Sequence, residues 1–308
     1  MKLSVVSPVY KSENLVEKLV ERISNTVSKI TNDYEIILVD DFSPDNSWDK
    51  IKEISSSNSK VIGIQLSRNF GQHYAITAGL DHTSGDWVVV MDCDLQDVPE
   101  EIEKLYNKAL EGYDIVLARR SNRKDKVFQK VFSFLFYRVL NYLTGLKHDE
   151  KVANFGLYNK KVIKSVVSMR ENVRYFPIMV KWVGFKTGFV DVQHDSRDGK
   201  TSYVLKKRIN IALDVILSYS DKPLRIFVKL GMLISLTAFI SSLYYLYLWI
   251  NNEIVVHGYA SLIISIWFLS GIIIATLGVL GLYVGKTFQD VKNRPLYVIN
   301  EILNGTKS

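Results

Sequence analysis

Residues 87–97 read WVVVMDCDLQD, an apolar run that ends in closely spaced acidic side chains. The run is short and rich in valine, which predicts a buried β-strand. Residues i and i+2 of an extended segment point to the same side, so we expect Asp92 and Asp94 to face a common space. With an oxygen from Gln96, this pair suits one hard divalent cation, Mg²⁺ or Mn²⁺. The alternative interpretation is an acidic turn at the end of a strand.

Other short runs rich in valine and isoleucine lie on both sides of this one. The predicted strands are residues 3–7, 35–39, 61–65, 87–91 and 114–118. Between the first two, apolar residues recur every three or four positions from Leu15 to Ile30, which predicts a helix with Ser12 as its N-cap. Strands that alternate with helices predict an α/β domain with a mostly parallel, Rossmann-like sheet. Such sheets bind ligands at the carboxyl ends of their strands.

The residues that follow each predicted strand are therefore candidate binding residues. Tyr10 offers a ring on which a nucleobase could stack. Asp40 and Asp41 end the second strand, where a carboxylate can accept from a base imide or a ribose hydroxyl. Arg68 lies in a glycine-containing loop before a helix, a setting that favours anions. Structural alternatives are an Asx turn at Asp45 and a plain surface position for Arg68.

Two long apolar stretches, residues 226–250 and 260–285, dominate the last third of the sequence. Each exceeds the roughly 20 residues that cross a bilayer, so we predict a two-helix transmembrane region over 223–289. Basic residues flank the pair on both outer sides, whereas the connecting segment 251–259 has no lysine or arginine. By the positive-inside rule we expect the N-terminal domain and both termini to be cytosolic. We expect the membrane to be the plasma (inner) membrane.

The spans divide the rest of the chain. We predict a catalytic domain over 1–202, an interfacial amphipathic helix over 203–222 and a cytosolic C-terminal tail over 290–308, frayed from Asn304. Another amphipathic helix is predicted over 126–143. Either amphipathic helix could pack on the core of the soluble domain instead. The position of the later one, immediately before the spans, favours the membrane surface.

Composition excludes several classes of function. The formal net charge is +7, from 39 basic and 32 acidic side chains, but the basic residues flank the membrane elements rather than forming a base-reading patch. We therefore expect no nucleic-acid partner. The single cysteine, Cys93, excludes an intramolecular disulfide and a cysteine-based zinc site. The N-terminal apolar run is too short for a secretory signal peptide.

Four motifs in order resemble the family 2 glycosyltransferases. They are SVVSPVY at 4–10, LVDDFS at 38–43, LSRNFGQH at 66–73 and MDCDLQDVPE at 91–100. Nearly the whole chain is similar to the polyprenyl-phosphate branch, which includes dolichol-phosphate mannose synthases and bactoprenol glucosyltransferases, and whose bacterial members end in two transmembrane helices. The resemblance implies a GT-A fold, an inverting mechanism, a UDP-linked sugar donor, a polyprenyl-phosphate acceptor and a homo-oligomer, namely a tetramer.

The resemblance also implies roles for individual residues. The expected nucleotide-binding residues are Pro8, Tyr10, Asp40 and Asp41, and the expected metal ligands are Asp92, Asp94 and Gln96. Arg119 matches a basic position near the phosphates. In the expected acceptor loop, residues 194–203, Arg197 and Lys200 would bind the acceptor phosphate and Ser202 could donate a hydrogen bond. The expected catalytic residues are Asp94, Arg119 and Arg197.

A lipid phosphate is already anionic at neutral pH, so its oxygen needs no strong general base, and the enzyme mainly positions and neutralises two anions. A sugar hydroxyl acceptor would require a carboxylate base, with Asp94 or Asp97 as the first candidates. Intact Asp92, Asp94 and Gln96 argue against a catalytically silent scaffold.

Two departures from the branch concern the acceptor. Asn154 and Gly156 lie where the branch commonly shows Asp-Phe-Arg-Leu, and Lys11-Ser12 replaces a frequent Asn-Glu. These changes leave the metal and nucleotide sites intact but weaken the assignment of sugar and acceptor. The alternative function is therefore a glycosyltransferase that extends a lipid-linked saccharide in cell-surface polysaccharide synthesis.

Overall fold

Eight strands form one sheet in the computed structural model of the chain, which describes residues 1–120, 142, 152–192, 216, 220–251 and 258–305. In chain order they are β1 (Leu3–Val9), β2 (Tyr34–Asp40), β3 (Val61–Leu66), β4 (Trp87–Val90), β5 (Ile115–Arg120), β6 (Val152–Asn159), β7 (Thr187–Val192) and β8 (Ile299–Leu303). Across the sheet the order is β7-β5-β6-β4-β1-β2-β3-β8. The pairs among β1 to β4 are parallel, whereas β6 and β8 run antiparallel to their neighbours. The predicted α/β, mostly parallel sheet is confirmed.

Helices cover both faces of this sheet, so the central strands β1, β2 and β4 are buried on both sides. They are α1 (Val16–Val27), α2 (Ser47–Ser57), α3 (Gln72–Asp81), α4 (Ile102–Ala109), α5 (Lys160–Ser168) and α6 (Phe176–Trp182). Within β1, Val5 belongs to the core under α1, α2 and α4, and Val6 belongs to the core under α3, α5 and α6. Helix α3 approaches β1 so closely that a Cβ on Gly79 would lie 2.4 Å from a methyl of Val6.

The start of α1 corrects one prediction. The helix begins at Val16, and Ser12 is not its cap: the backbone carbonyl of Ser12, rather than its hydroxyl, accepts from the Leu15 and Val16 amides. The Ser12 hydroxyl donates to the Tyr10 carbonyl at 3.2 Å and lies 3.0 Å from Cys93 Sγ. Ser12 therefore ties together two loops at the carboxyl edge of the sheet.

The segment after the second apolar helix belongs to the first of two compact units, the one that contains the sheet. That unit comprises Met1–Tyr137, Leu146–Ser202 and Arg294–Ser308. Strand β8 pairs with β3, and the Tyr297 hydroxyl donates to Asp81 at the end of α3. The predicted cytosolic tail over 290–308 thus contains an edge strand, and Asn304 is bonded to three backbone carbonyls rather than frayed.

The second unit comprises Arg138–Gly145 and Tyr203–Asn293. It contains α7 (Lys222–Ile250) and α8 (Tyr259–Val291), in which Lys222–Ser241 and Ser265–Val291 are long and apolar enough to cross a membrane. Large apolar side chains along both helices are exposed, including Trp267 at 79%. A core helix of a soluble protein would bury such residues. The amphipathic helices predicted over 126–143 and 203–222 fall almost entirely outside the described residues.

Candidate active site

Four loops leave the carboxyl ends of β1 to β4 at one edge of the sheet, and each contains a residue with positive φ. These residues are Lys11 (54°), Phe42 (56°), Gly71 (109°) and Leu95 (59°). Three of the four carry side chains, for which the left-handed region costs on the order of 1–3 kcal/mol each. Such conformations persist where surrounding contacts enforce them, and they cluster at functional sites. The edge predicted to bind ligands is thus also where the described backbone departs most from regular geometry.

The acidic pair Asp92 and Asp94 lies in a turn directly after β4. Residues 93–95 form this turn, so the expectation of an extended segment is wrong. The side chains still alternate: Cys93 is buried against Ser12, whereas both aspartates are half-buried beside it. The backbone N–H of Gln96 donates to Asp94 Oδ1 at 3.1 Å, which holds that carboxylate over the turn. Burial raises the pKa of the Cys93 thiol, so it stays protonated between the two carboxylates.

Gln72 is a site residue to which the sequence assigned no role. Its side-chain amide donates to Asp92 Oδ1 at 2.7 Å from the first turn of α3. The residue lies in the motif at 66–73, but nothing in the spacing indicated that α3 would begin beside the acidic turn. Through this bond to Asp92, a candidate metal ligand, Gln72 links the loop after β3 to the loop after β4.

The donor set around the turn fits a hard divalent cation. The turn brings Asp92, Asp94 and Gln96 to one edge of the sheet. The two carboxylates and the side-chain carbonyl of Gln96 can all serve as oxygen ligands. Among the described residues no group of three His, Cys, Asp or Glu side chains forms a complete metal cage. Mg²⁺ commonly uses only one or two carboxylates and completes its shell with substrate phosphates and water. The arrangement therefore suits a cation that arrives with a phosphorylated ligand.

Asp40 and Asp41 end β2 and are almost completely buried, at 0% and 3% exposure. Asp40 accepts from the Ser43 amide at 3.3 Å and from Gln65 Nε2 at 3.5 Å. Burial raises the pKa of both carboxyls, although their hydrogen bonds oppose the rise. The two carboxylates are thus held in place at the carboxyl edge of the sheet by groups that donate hydrogen bonds to them.

The oxygens of Asp41 accept from backbone amides of the next loop. Oδ1 accepts from the Phe70 amide at 2.7 Å and Oδ2 from the Gly71 amide at 2.8 Å. These amides lie just before α3, so Asp41 occupies the position that an anion would take at the start of that helix. Asp41 therefore shapes the loop that carries Arg68, in addition to its expected place in the nucleotide site.

A set of hydrogen bonds fastens the loop after β1 to the loop after β2. The Lys11 amide donates to Ser43 Oγ at 3.2 Å, and the Ser12 amide donates to Ser47 Oγ at 2.9 Å. Asp45 accepts from the Ser47 amide and, at 2.6 Å, from the Ser47 hydroxyl. The Asx-turn interpretation of Asp45 is therefore confirmed. These bonds join the two loops in which Lys11 and Phe42 have positive φ.

Aromatic rings and cations line the outside of these loops. Tyr10 and Phe42 are 44% and 51% exposed, and buried Pro8 precedes the first of them in β1. The Lys11 ammonium lies 5.5 Å from the Tyr10 ring centroid. The Arg68 guanidinium lies 4.1 Å from the Phe70 ring. Arg68 is exposed, so its charge faces solvent at the edge of the sheet. This exposure is compatible both with anion binding and with a plain surface position.

Arg119 lies at the end of β5, on the same edge as Asp92. Strand β6 separates β4 from β5, so the strand spacing of about 4.8 Å places the two backbones on the order of 10 Å apart. The Arg119 guanidinium stacks on Phe189 of β7 at 4.6 Å. The structure thus brings Arg119 to the site edge. The expected acceptor-loop residues Arg197, Lys200 and Ser202 lie outside the described residues.

His73, next to Gln72, adds no charge to this edge. Burial and the nearby Arg174 cation lower its pKa to about 4, and its ring packs edge-on against Tyr175 at 4.7 Å. The ring is therefore neutral at physiological pH.

The departures at 154 and 156 have a structural setting. The pairing of β4 with β6 ends at Val90 and Gly156, so Asn154 lies two residues beyond it, toward the acidic turn. A Cβ on Gly156 would lie 2.7 Å from the Tyr158 hydroxyl and 3.0 Å from the Val116 carbonyl. Tyr158 is 2% exposed and packs edge-on against Phe176. The Tyr158 phenol thus fills the space next to position 156, which excludes a larger side chain there.

Comparison with known proteins settles the family. Residues 4–167 match the family model described as glycosyl transferase family 2, which is more than half of the chain. This chain belongs to glycosyl transferase family 2. The matched region contains all four motifs from which the resemblance was inferred, so the predicted family is confirmed.

Members of this family similar to the chain span its whole length. An uncharacterised glycosyltransferase of Synechocystis sp. is 36% identical, over 98% of this chain and 96% of the relative. An undecaprenyl-phosphate 4-deoxy-4-formamido-L-arabinose transferase of Serratia proteamaculans is 34% identical, over 98% of this chain and 94% of the relative. The similarity therefore continues through the two apolar helices.

Solved structures share the fold of the sheet-containing part of the chain. Glucosyl-3-phosphoglycerate synthase of Mycobacterium tuberculosis, in complex with Mn²⁺, UDP-glucose and phosphoglyceric acid, superimposes with a TM-score of 0.53. The match covers 70% of this chain and 78% of the synthase at 18% identity. At that identity the likeness concerns the fold alone, and the fold is of the GT-A type. The chain is thus a GT-A glycosyltransferase of family 2 with two apolar helices.

Proposed function

We propose that this enzyme transfers a sugar, with inversion, from a UDP-linked donor to a polyprenyl phosphate such as undecaprenyl phosphate. The observation that carries the proposal is the full-length similarity to undecaprenyl-phosphate sugar transferases, which includes both candidate spans. A polyprenyl carrier stays in the bilayer, so its transferase must hold its catalytic domain beside the membrane. We place the enzyme in the plasma (inner) membrane, with the catalytic domain and both termini cytosolic.

The donor subsite is proposed at the edge formed by the loops after β1, β2 and β4. Tyr10 would stack on the base, with Pro8 beneath it, and the β2 carboxylates Asp40 and Asp41 would recognise base or ribose. Asp92, Asp94 and Gln96 would hold Mg²⁺ or Mn²⁺ against the diphosphate. When bound, this cation supplies Lewis-acid stabilisation of the charge on the departing nucleotide. Mn²⁺ or Mg²⁺ with UDP in structures of fold relatives supports this assignment.

The protein side chains then bring two anions together. An acceptor phosphate oxygen forms the new bond to the anomeric carbon as the bond to the nucleotide diphosphate breaks. Because that oxygen is already anionic, Asp94 need not remove a proton from it. Arg119, at the same edge, would neutralise phosphate charge. Arg197, Lys200 and Ser202 are proposed to bind the acceptor phosphate, and Arg68 the donor phosphates. We also propose a homo-oligomer, a tetramer.

The decisive experiment supplies donor, cation and two kinds of acceptor. The full chain, purified in detergent, is incubated with Mn²⁺, a panel of nucleotide sugars and either undecaprenyl phosphate or an undecaprenyl-diphosphate-linked saccharide. We expect a product with undecaprenyl phosphate, lost on addition of EDTA and in the Asp94→Asn variant. Turnover with the lipid-linked saccharide alone would overturn the proposal in favour of glycan extension. Turnover with neither acceptor would overturn both.

A further inference from the structure

The strand that follows the second apolar helix touches the nucleotide half of the site. Asn300, in β8, donates from Nδ2 to Gln65 Oε1 at 2.7 Å. Gln65, in β3, donates from Nε2 to Asp40 Oδ2 at 3.5 Å. One side-chain amide therefore connects β8 to the buried carboxylate at the end of β2.

A β-bulge places Asn300 in this position. Gln65 pairs with Glu301, but the next residue, Leu66, pairs with Ile299, so Asn300 is an extra residue in β8. Two residues of a bulged strand oppose one residue of its partner, which re-aims the bulged side chain. Asn300 is exposed, and the neighbouring Glu301 accepts from Trp48 Nε1 at 3.2 Å. The bulge thus directs Asn300 to Gln65 rather than to the α2 contact.

The polarity of this chain of bonds is determined by its last member. A carboxylate only accepts, so Gln65 must turn its NH₂ group to Asp40. Its oxygen then faces β8, where only a donor is compatible. The Asn300 NH₂ group supplies that donor. In addition, the carbonyl of Val298, the residue before β8, accepts from the Ser67 amide at 2.8 Å, so the same segment also contacts the loop that carries Arg68.

We infer that β8 is part of the donor subsite and that Asn300 is a positioning residue, which orients Asp40 through Gln65 for recognition of the nucleotide. This inference rests on the proposed function, because it takes Asp40 as a nucleotide ligand. The segment that returns from the apolar helices therefore does more than complete the sheet: it sets how tightly the donor binds.

The test compares substitutions within β8 in the full chain purified in detergent. Binding of UDP, dTDP and GDP, each with Mn²⁺, is measured by calorimetry, and the KM values for donor and acceptor are measured separately. Asn300→Ala removes one hydrogen bond, so we expect the nucleotide Kd and the donor KM to rise about threefold to tenfold, with the acceptor KM unchanged. Asn300→Asp places an acceptor against Gln65 Oε1 and forces that amide to turn its oxygen toward Asp40. We expect it to weaken binding more than Asn300→Ala.

Asn304→Ala is the matched control. Asn304 belongs to the same segment but donates to the Ser55, Asn58 and Val61 carbonyls, at the opposite edge of the sheet. We expect it to lower the melting temperature and leave the nucleotide Kd unchanged. An Asn300→Asp effect no larger than that of Asn300→Ala, or an equal loss in Asn304→Ala, would overturn the inference. If the wild-type protein binds none of the three nucleotides, the proposed function is overturned as well. Failure of the inference alone is thus distinguishable from failure of the proposed function.

Discussion

Gln72 holds Asp92 through a 2.7 Å hydrogen bond, although the two residues follow different strands and lie 20 positions apart. The bond leaves Gln72 at the start of α3 and reaches the acidic turn after β4. Outer partners of this kind orient metal ligands, and their loss typically costs 10–100-fold in metal affinity or activity.

Gln72→Leu is accordingly predicted to raise the Mn²⁺ concentration required for half-maximal transfer about tenfold or more, because Asp92 loses its orienting donor. The measurement is the rate of transfer against Mn²⁺ concentration at saturating substrates. Asn25→Ala is the control, since Asn25 is an exposed amide on α1. An unchanged Mn²⁺ dependence in Gln72→Leu would show that Asp92 needs no such support.

Asp94→Asn is predicted to lower kcat/KM by about 10²–10⁴, because the proposed metal site loses a carboxylate and the bound cation would supply less of its several kcal/mol of charge stabilisation. The backbone N–H of Gln96 can still donate to the side-chain oxygen of the new asparagine at position 94, so the turn should persist. Circular dichroism and retention in the membrane fraction check the fold. Activity within tenfold of wild type would remove Asp94 from the metal site.

Gly156→Ala is predicted to destabilise the catalytic domain by about 1–3 kcal/mol, because the added methyl overlaps the buried Tyr158 phenol. Combination with Tyr158→Leu should cost less than the sum of the two single changes, since the smaller side chain vacates that space. Thermal unfolding of the four proteins in one detergent gives the coupling. Strict additivity would mean that the two positions do not compete for volume.

Asp40→Asn is predicted to raise the melting temperature at pH 7.5 while weakening nucleotide binding. Burial raises the pKa of Asp40 above its ordinary value of 3.8, so its charge destabilises the folded state. A raised carboxyl pKa is harmless while the group is protonated, and its cost develops as the pH rises through the folded pKa. The gain from the substitution should therefore shrink as the pH falls toward 4. A variant less stable than wild type at pH 7.5 would contradict this prediction.

Glu35→Gln is predicted to destabilise the chain at pH 7 by about 1–3 kcal/mol. Glu35 accepts from Ser4 at 2.6 Å and from the Ser84 amide at 2.7 Å, and it pairs with Lys2 at 2.7 Å. Burial acts to raise its pKa, but these partners outweigh burial and lower it. The stabilisation is present above the unfolded pKa and is lost as the pH falls through the folded pKa. The melting temperatures of variant and wild type should therefore differ at pH 7 and converge as the pH falls through the folded pKa of Glu35, which lies below its ordinary value of 4.5.

Local sequence signals predicted the parallel part of the sheet, whereas the acidic turn was only the alternative to an extended segment at Asp92 and Asp94. The valine-rich runs gave β1 to β5 because buried parallel strands need continuous apolar residues. The backbone at Asp92 was predicted wrongly, since the positive φ of Leu95 depends on contacts rather than on residue type. Cys93 is buried whereas Asp92 and Asp94 are half-buried, which is the alternation expected of successive side chains.

The remaining site residues depend on contacts between distant segments. Gln72 reaches Asp92 only because α3 packs across β1 at Gly79, and no spacing rule contains that approach. Asn300 reaches Gln65 across 235 positions of sequence and through a bulge. Strand β8 has only five residues, INEIL, without alternation of apolar and polar residues, so the segment after the spans looked like a tail. Long-range pairing of this kind leaves no periodic signal in the sequence.

The return of β8 to β3 has a consequence for biosynthesis. Translation proceeds from the N-terminus, so β1 to β7 emerge from the ribosome before both apolar helices, and β8 emerges after them. Until then β3 is an open edge whose unpaired amides and carbonyls can join another chain. Completion of the sheet therefore waits for synthesis of the apolar helices. A nascent chain stalled between α7 and α8 would carry an unfinished sheet and should be the species most exposed to chaperones and proteases.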